Sequence, residues 1–433
     1  MASGKRISRR TLLKGAAAAV AAPYIVPASA LGKAGWKPPS ERFAVGFIGI
    51  GNMGSAHLGG FLSDPSLQIV AACDVDAVKR RKAREIIEKH YAEHRKGESW
   101  RGCDEYNEFE RLLERPDIDA VLIATPDHWH ALIAVAAARA GKDIYCEKPL
   151  SLTVREAWMM VDAVRRYGRV FQTGSQQRSE SNFRLACELV RNGRIGKLQT
   201  VHVNIGMPSM EKYFPEEPVR EGLDWDRWLG PAPWAPYNSE RCSGDYGGGW
   251  RWVRDYSGGM TTDWGAHHFD IGQWGMGMDG SGPVEIIPPG VDGAENLTIR
   301  YASGVTMYRA GRAPGDHPVN GVLFTGTDGK VEVNRGYFRT WPEEIGRTPI
   351  GPGDLHLYRS PGHREDWVQC MRSRKRPICD VEIGASTVTV CHLANIASWL
   401  GRRIRWDPDR REIIGDEQAS RWLDRPKRAP WHL

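Results

Sequence analysis

Phe43-Ala44-Val45-Gly46-Phe47-Ile48-Gly49-Ile50-Gly51-Asn52-Met53-Gly54 is an apolar run that empties into a glycine turn. Residues 43–51 read as a buried strand, and residues 52–62 as the helix that follows. In that setting Gly49, Gly51 and Gly54 have a physical task. They permit the tight turn and let a pyrophosphate approach the N–H groups of the helix start, where Asn52 and Met53 lie. A second apolar strand, residues 68–73, ends in Asp74. An acid at that place can bind the adenosine ribose hydroxyls and repels a 2′-phosphate, which favours NAD over NADP. Lys79, Arg80, Arg81 and Lys82 follow closely and could bind that phosphate, so both dinucleotides stay open.

Working outward, the strand–helix alternation continues. Residues 118–124 form a buried strand, and Thr125-Pro126-Asp127-His128-Trp129-His130 turns into a helix that Gly141 ends. Residues 143–146 form the next strand, closing on Glu147-Lys148-Pro149. A helix over 154–167 then leads to a strand over 169–173. Such alternation predicts an α/β fold whose N-terminal domain, residues 43–172, is a Rossmann-like doubly wound parallel sheet. Ligands bind such sheets at the carboxyl ends of strands, where Thr125, Glu147 and Lys148 fall.

Thr125-Pro126…His130, Ala138-Arg139-Ala140-Gly141-Lys142 and Glu147-Lys148-Pro149 resemble the signature of the Gfo/Idh/MocA (glucose–fructose oxidoreductase/inositol dehydrogenase) family. The resemblance covers roughly residues 43–410. It implies a nicotinamide-dependent oxidoreductase in which Lys148 lies by the nicotinamide and the substrate hydroxyl and Glu147 contacts a cofactor ribose. Thr125, Pro126 and His130 join the expected cofactor contacts. Asp127 departs from the family pattern, where Asn is more usual. The resemblance also implies an α+β second domain with an open mixed sheet that packs on a partner subunit in a homo-oligomer. Short alternating runs at 201–206, 295–301, 305–310, 319–326 and 330–334 agree with such a sheet within residues 173–410. Residues 363–373 and 384–400 read as helices, 402–407 as a short strand, and 411–433 as a polar tail over the surface.

The chemical centre of the second domain is Gly258-Gly259-Met260-Thr261-Thr262-Asp263-Trp264-Gly265-Ala266-His267-His268-Phe269-Asp270. It resembles the family's D-x-x-x-H helix. Spacing four puts Asp263 and His267 on one helical face, where an acid and an imidazole can hold a hydroxyl and move its proton. Lys148 is then the group that stabilises alkoxide-like charge, His267 the acid or base, and Asp263 the positioning residue; Lys148 and His267 could exchange roles. His268 points to another wall. Asp263, His267, His268 and Asp270 could also hold a metal, but no H-E-x-x-H motif or cysteine accompanies them, and no metal is assigned.

Seventeen Trp are many for 433 residues. Most suit packing. The Gly- and aromatic-rich stretch 246–252 reads as a loop over the pocket, with Arg251 as a polar handle. Gln177, Arg178, Trp250, Trp252, Trp264 and His268 are the candidate substrate contacts. The expected substrate is a sugar or glycoside oxidised at a ring hydroxyl. The alternative in the same fold is a glycosidase or lyase that oxidises its sugar only transiently.

Residues 1–30 resemble a twin-arginine export signal: Ser8-Arg9-Arg10-Thr11-Leu12-Leu13-Lys14, an apolar stretch over 16–22, and a small-residue cleavage site at Ala28-Ser29-Ala30. Residues 31–42 read as an extended arm. Export of folded cargo implies a periplasmic or exported enzyme that leaves with its dinucleotide tightly bound. The formal net charge of +6 falls to +1 once the five basic residues of this segment are set aside. That balance does not support nucleic-acid binding. No further stretch reads as a membrane span. The eight Cys form no C-x-x-C pair; Cys370 and Cys379 could join in an oxidising compartment, although folding before export would leave that bond to form late.

Overall fold

The computed structural model describes residues 41–94 and 102–433. The export signal and nearly all of the arm expected before residue 43 lie outside the described residues. The first sheet contains β1 (Phe43–Ile48), β2 (Leu67–Cys73), β3 (Asp104–Tyr106), β4 (Ala120–Ile123), β5 (Asp143–Cys146) and β6 (Phe171–Thr173). Its order is β3-β2-β1-β4-β5-β6, and every neighbouring pair is parallel. The strand order reverses direction at β1 and β4, so their carboxyl ends open a crevice between them.

The helices of this domain are α1 (Asn52–Leu62), α2 (Ala77–His94), α3 (Phe109–Leu113), α4 (Asp127–Arg139) and α5 (Val154–Tyr167). The bounds of α5 have a local cause. Thr153 and Glu156 form a reciprocal capping box at its start, and Gly168 ends it in the left-handed region at φ 61°.

The second sheet is mixed and nine-stranded. It contains β7 (Leu198–Val203), β8 (Glu285–Ile287), β9 (Leu297–Arg300) and β10 (Thr306–Arg309). After a separate small ribbon of β11 (Arg312–Ala313) and β12 (His317–Pro318) come β13 (Val322–Gly326), β14 (Lys330–Asn334), β15 (Tyr337–Trp341), β16 (Ile404–Asp407) and β17 (Glu412–Ile413). The order is β15-β14-β13-β7-β10-β9-β8-β16-β17. On it lie α6 (Ser181–Arg191) and α9 (Gly265–Met276), with the short α7 (Trp225–Leu229) and α8 (Met260–Asp263) between them in the chain; α10 (His363–Ser373) and α11 (Val381–Leu400) then take the chain back across both domains.

Three features go beyond what the sequence pattern conveys. A late helix returns to the first domain. Trp367, Val368, Cys370 and Met371 of α10 are buried in one core with Val45, Phe47 and Phe61 of the first domain. The periodicity of α10 marks a buried face but does not say which core receives it. The tail lies over the surface through specific contacts. β17 adds an edge to the sheet, Lys427 reaches Glu156 at 3.0 Å, and Trp431 packs edge-on against Trp129 at 4.8 Å. Finally, α11 has the length and mean hydropathy, 1.2, of a membrane span. It is mostly buried: its residues divide between the two cores, with Val381, Ala385 and Val388 in one and Val390, Leu393 and Ile396 in the other. Its apolar composition reflects burial on all sides. All eight Cys are free, Cys370 and Cys379 included.

A fragment ending at residue 175 lacks Trp367, and loss of such a side chain costs about 3–5 kcal/mol. We therefore expect that fragment to melt without a cooperative transition in circular dichroism, and Trp367→Ala to lower the denaturation midpoint of the full chain.

Candidate active site

The glycine turn opens the site. Gly49 has φ 90°, and a Cβ on it would meet the Ala124 carbonyl carbon and oxygen at 2.7 Å. A Cβ on Gly54 would lie 2.0 Å from the Gly49 oxygen. These two positions therefore need glycine for packing. Gly51 differs: nothing lies within 4 Å of a Cβ built there, and it caps α1 without any side-chain hydrogen bond. The start of α1 thus presents uncapped N–H groups to open space, as a pyrophosphate requires. Asp74 braces the turn, since its Oδ2 accepts from the Ile50 N–H at 2.6 Å and its Oδ1 from Asp76 N–H at 2.9 Å.

A groove runs from this turn across the strand ends. Gly49, Gly51, Asn52, Met53, Asp74, Thr125, Pro126, Glu147 and Lys148 line it. The Thr125 Oγ1 is buried without a partner, a polar atom that a bound group would satisfy. His130 does not join them. Its Nδ1 faces the Pro149 oxygen at 2.8 Å and its Nε2 the Thr125 oxygen at 2.9 Å, so it clamps the Thr125 loop to the Glu147-Lys148-Pro149 turn. Glu147 is 3% exposed and meets His57 Nε2 at 2.7 Å. Burial works to raise its carboxyl, but the His57 hydrogen bond and charge, with Lys148, hold it below the usual value.

Lys148 carries the link between the domains. Its Nζ donates to Asp263 Oδ1 at 2.8 Å and to the Asp263 carbonyl at 3.2 Å. This corrects the single helix expected over 260–270. The His267 N–H bonds instead to the Trp264 oxygen, so α8 and α9 meet at a break on Trp264. Arg251 Nε adds a second cation 3.6 Å from Asp263 Oδ1. Trp250 lines the groove beside it, and the Arg251 guanidinium lies 4.5 Å from that ring centre.

His267 sits apart from this pair. Its Nε2 faces Arg335 Nη2 at 3.3 Å, its Nδ1 has no partner, and it is not on the groove wall. Burial first, then Lys148 and Arg335, keep it neutral far below its ordinary pKa. Its Nε2 lone pair is therefore covered by Arg335. His268 faces the Asn204 oxygen at 3.0 Å, and burial lowers it to about 4. Trp264 meets His267 edge-on and His268 at a tilt, with the Arg335 guanidinium over its ring, and Trp252 donates to the Tyr246 oxygen at 3.2 Å; neither lines the groove. Gln177 is fully buried off the groove. Arg178 is no substrate contact. It holds both Asp270 and Asp279 through bidentate bonds of 2.6–2.9 Å, with a 1% exposed side chain. The four residues weighed as metal ligands diverge: Asp263 to Lys148, His267 to Arg335, His268 to Asn204, Asp270 to Arg178.

A strap over residues 207–259 closes the groove beside the end of β2. Ala77 N–H donates to the Gly222 oxygen at 2.8 Å and Asp224 N–H to the Val75 oxygen at 3.0 Å. Asn107 donates to Asp224 at 2.7 Å, Asn52 to the Gly244 oxygen at 3.2 Å, and Arg220 pairs with Asp76. Arg220, Leu223, Arg227 and Trp228 form its groove wall. The tail holds the strap from outside, Arg428 donating to the Gly230 oxygen at 2.9 Å and to Asp226 at 2.5 Å. Reading the residues in order did not reveal this strap, because its contacts are backbone groups and single charges far apart in the chain. Arg335 was missed for the same reason: it comes from the β14–β15 turn, 68 residues after His267.

A parallel sheet with an uncapped glycine turn at its switch point, a braced acid after β2 and a lysine at the end of β5 define a dinucleotide-binding oxidoreductase architecture. Residues 43–175 match the NAD-binding Rossmann fold of the oxidoreductase family Gfo/Idh/MocA, and residues 206–433 match its C-terminal alpha/beta domain. The chain belongs to that family. An uncharacterized oxidoreductase, YrbE, of Bacillus subtilis is 26% identical over 55% of this chain and 55% of its own length. A glycosyl hydrolase family 109 protein of Saccharopolyspora erythraea is 37% identical over 36% of this chain and 34% of its own. The chain thus spans about half or less of the length of these curated relatives. Among solved structures, an aldose-aldose oxidoreductase from Caulobacter crescentus superposes with a TM-score of 0.57 at 19% identity, covering 84% of this chain and 99% of that one. A levoglucosan dehydrogenase in complex with NADH and levoglucosan gives 0.55 at 20%, with the same coverage.

Two outcomes follow from these contacts. Arg178→Ala strands a buried Asp270 and should cost about 3–5 kcal/mol in urea unfolding. Arg335→Ala removes a cation from His267, so the imidazole should titrate at higher pH by NMR than in the wild type.

Proposed function

We propose that this protein oxidises a ring hydroxyl of a sugar or glycoside by hydride transfer to a dinucleotide that it does not release between turnovers. The observation that carries this reading is the Lys148–Asp263 contact at the mouth of the dinucleotide groove. A bound nicotinamide dinucleotide supplies the hydride acceptor. Thr125, Glu147 and the start of α1 would hold it. Lys148 donates a hydrogen bond to the substrate hydroxyl and stabilises the negative charge that grows on its oxygen. Asp263 and Arg251 fix the lysine and the neighbouring hydroxyl. Trp250 gives a flat apolar face for a sugar ring. His267 stays neutral off the groove wall, with Arg335 on its Nε2.

Retention is supported by the strap, whose bonds to the first domain must break before a dinucleotide can leave. The acids Asp74 and Asp76 at the end of β2 favour NAD over NADP, although Lys79 and Arg220 also line that end. We include export by the twin-arginine route in the reading, with residues 1–30 as the address. A retained dinucleotide is what an exported member needs, since it meets no free pool and must be reoxidised by a second sugar. The relatives named as glycosyl hydrolases favour one further reading, cleavage of a glycoside with transient oxidation and no net redox change. Release of nitrophenol from a nitrophenyl glycoside without net reduction of the dinucleotide would select it.

Native mass spectrometry of protein isolated from the periplasm should find one dinucleotide per chain. A chain there without dinucleotide would contradict retention. Losing a charged hydrogen bond costs about 1.5–3 kcal/mol, so Arg220→Ala should speed dinucleotide release about tenfold or more. Lys148→Met should keep the dinucleotide yet reduce it at least about a hundredfold more slowly.

A further inference from the structure

We propose that Asp127 is a further acid–base residue of this site, exchanging a proton with the hydroxyl held at Lys148. The proposal rests on the oxidoreductase reading above. Oxidation of an alcohol breaks two bonds to hydrogen. The C–H pair leaves as hydride to the nicotinamide dinucleotide, the C=O bond forms, and the O–H proton must pass to a base. Of the groups expected for that task, Lys148 is paired and His267 is off the groove wall. Lys148 and Asp263 satisfy each other at 2.8 Å. His267 stands off the groove wall with its Nε2 against Arg335.

Asp127 is free for it. It begins α4 directly after the Thr125-Pro126 turn and lines the same groove as Lys148, Asp263, Trp250 and Arg251. It is 2% exposed, and its Oδ2 makes no hydrogen bond of normal geometry; the Ser257 hydroxyl, itself without a partner, is its polar neighbour. A buried carboxylate oxygen left bare is costly unless it carries a proton or meets a ligand. The charged groups that act on it most are Asp263 from α8, Arg251 from the strap and Lys148 from the turn after β5. His128 beside it on α4 is neutral, lowered by burial to about 4. Burial raises the Asp127 carboxyl to about 7; Asp263 adds to the rise, while the Ser257 hydroxyl, Arg251 and Lys148 oppose it. A group so poised is ionised enough to accept a proton and acidic enough to return it.

The test uses the full-length, NAD-loaded protein and two readouts. Infrared difference spectroscopy across pH should show a protonated-carboxyl band that disappears with a midpoint near 7 and shifts when levoglucosan or D-glucose is added. The band should be absent from Asp127→Asn and retained, at a moved midpoint, in Asp127→Glu. In single-turnover reduction of the bound NAD, the rate should lose its near-neutral ionisation in Asp127→Asn while dinucleotide content stays unchanged. No band titrating between about pH 6 and about pH 8, a band that survives Asp127→Asn, or a band indifferent to added sugar would each overturn the proposal. A wild-type protein whose Asp127 band responds to sugar but whose NAD is never reduced would overturn the oxidoreductase reading instead.

Discussion

The contact between Lys148 Nζ and Asp263 is the constraint on which the rest of the site depends. Burying a lysine and a carboxylate gives up hydration that their attraction repays only in good geometry. Here the geometry is supplied by two backbones. Lys148 ends a strand of the first sheet, and Asp263 ends a four-residue helix of the second domain. The ammonium takes the Asp263 carbonyl as well as its carboxylate, and α8 and α9 part at Trp264. The same pair thus joins the domains, sets the helix break and places an ammonium on the groove wall.

Around this pair further elements close over the groove. The strap lies beside the end of β2 through backbone hydrogen bonds to Val75 and Ala77, and Arg220 fastens it to Asp76. The tail in turn fastens the strap through Arg428 and sets Trp431 on Trp129, a groove-wall residue. Enclosure matters for chemistry as well as retention. Charges held away from water act on a developing alkoxide more strongly than they would in bulk solvent.

Much of this was legible in the sequence, for identifiable reasons. The glycine turn and the strand–helix alternation follow short-range rules, and α5 begins and ends where Thr153, Glu156 and Gly168 place it. Glu147, Lys148 and Asp263 were legible through a resemblance whose motifs are contiguous. Long-range partners were not. Arg178 reads as a polar substrate handle until Asp270 and Asp279 are seen to neutralise it. Asp263 and His267 share a helical face only if the helix runs through Trp264, and Lys148, 115 residues earlier in the chain, bonds the carbonyl at that break. The periodicity of α10 gives a buried face without naming the core that receives it.

The central claim is that one enclosed dinucleotide is reduced and reoxidised where Lys148 meets Asp263. Its most direct measurement is the absorbance of protein-bound nicotinamide in a stopped-flow experiment, with no free dinucleotide added. The account predicts that an aldose raises the reduced-nicotinamide signal to one equivalent per chain, and that a second sugar presented as a carbonyl acceptor then removes it. A bound dinucleotide whose absorbance stays unchanged with every aldose and glycoside offered would contradict the account.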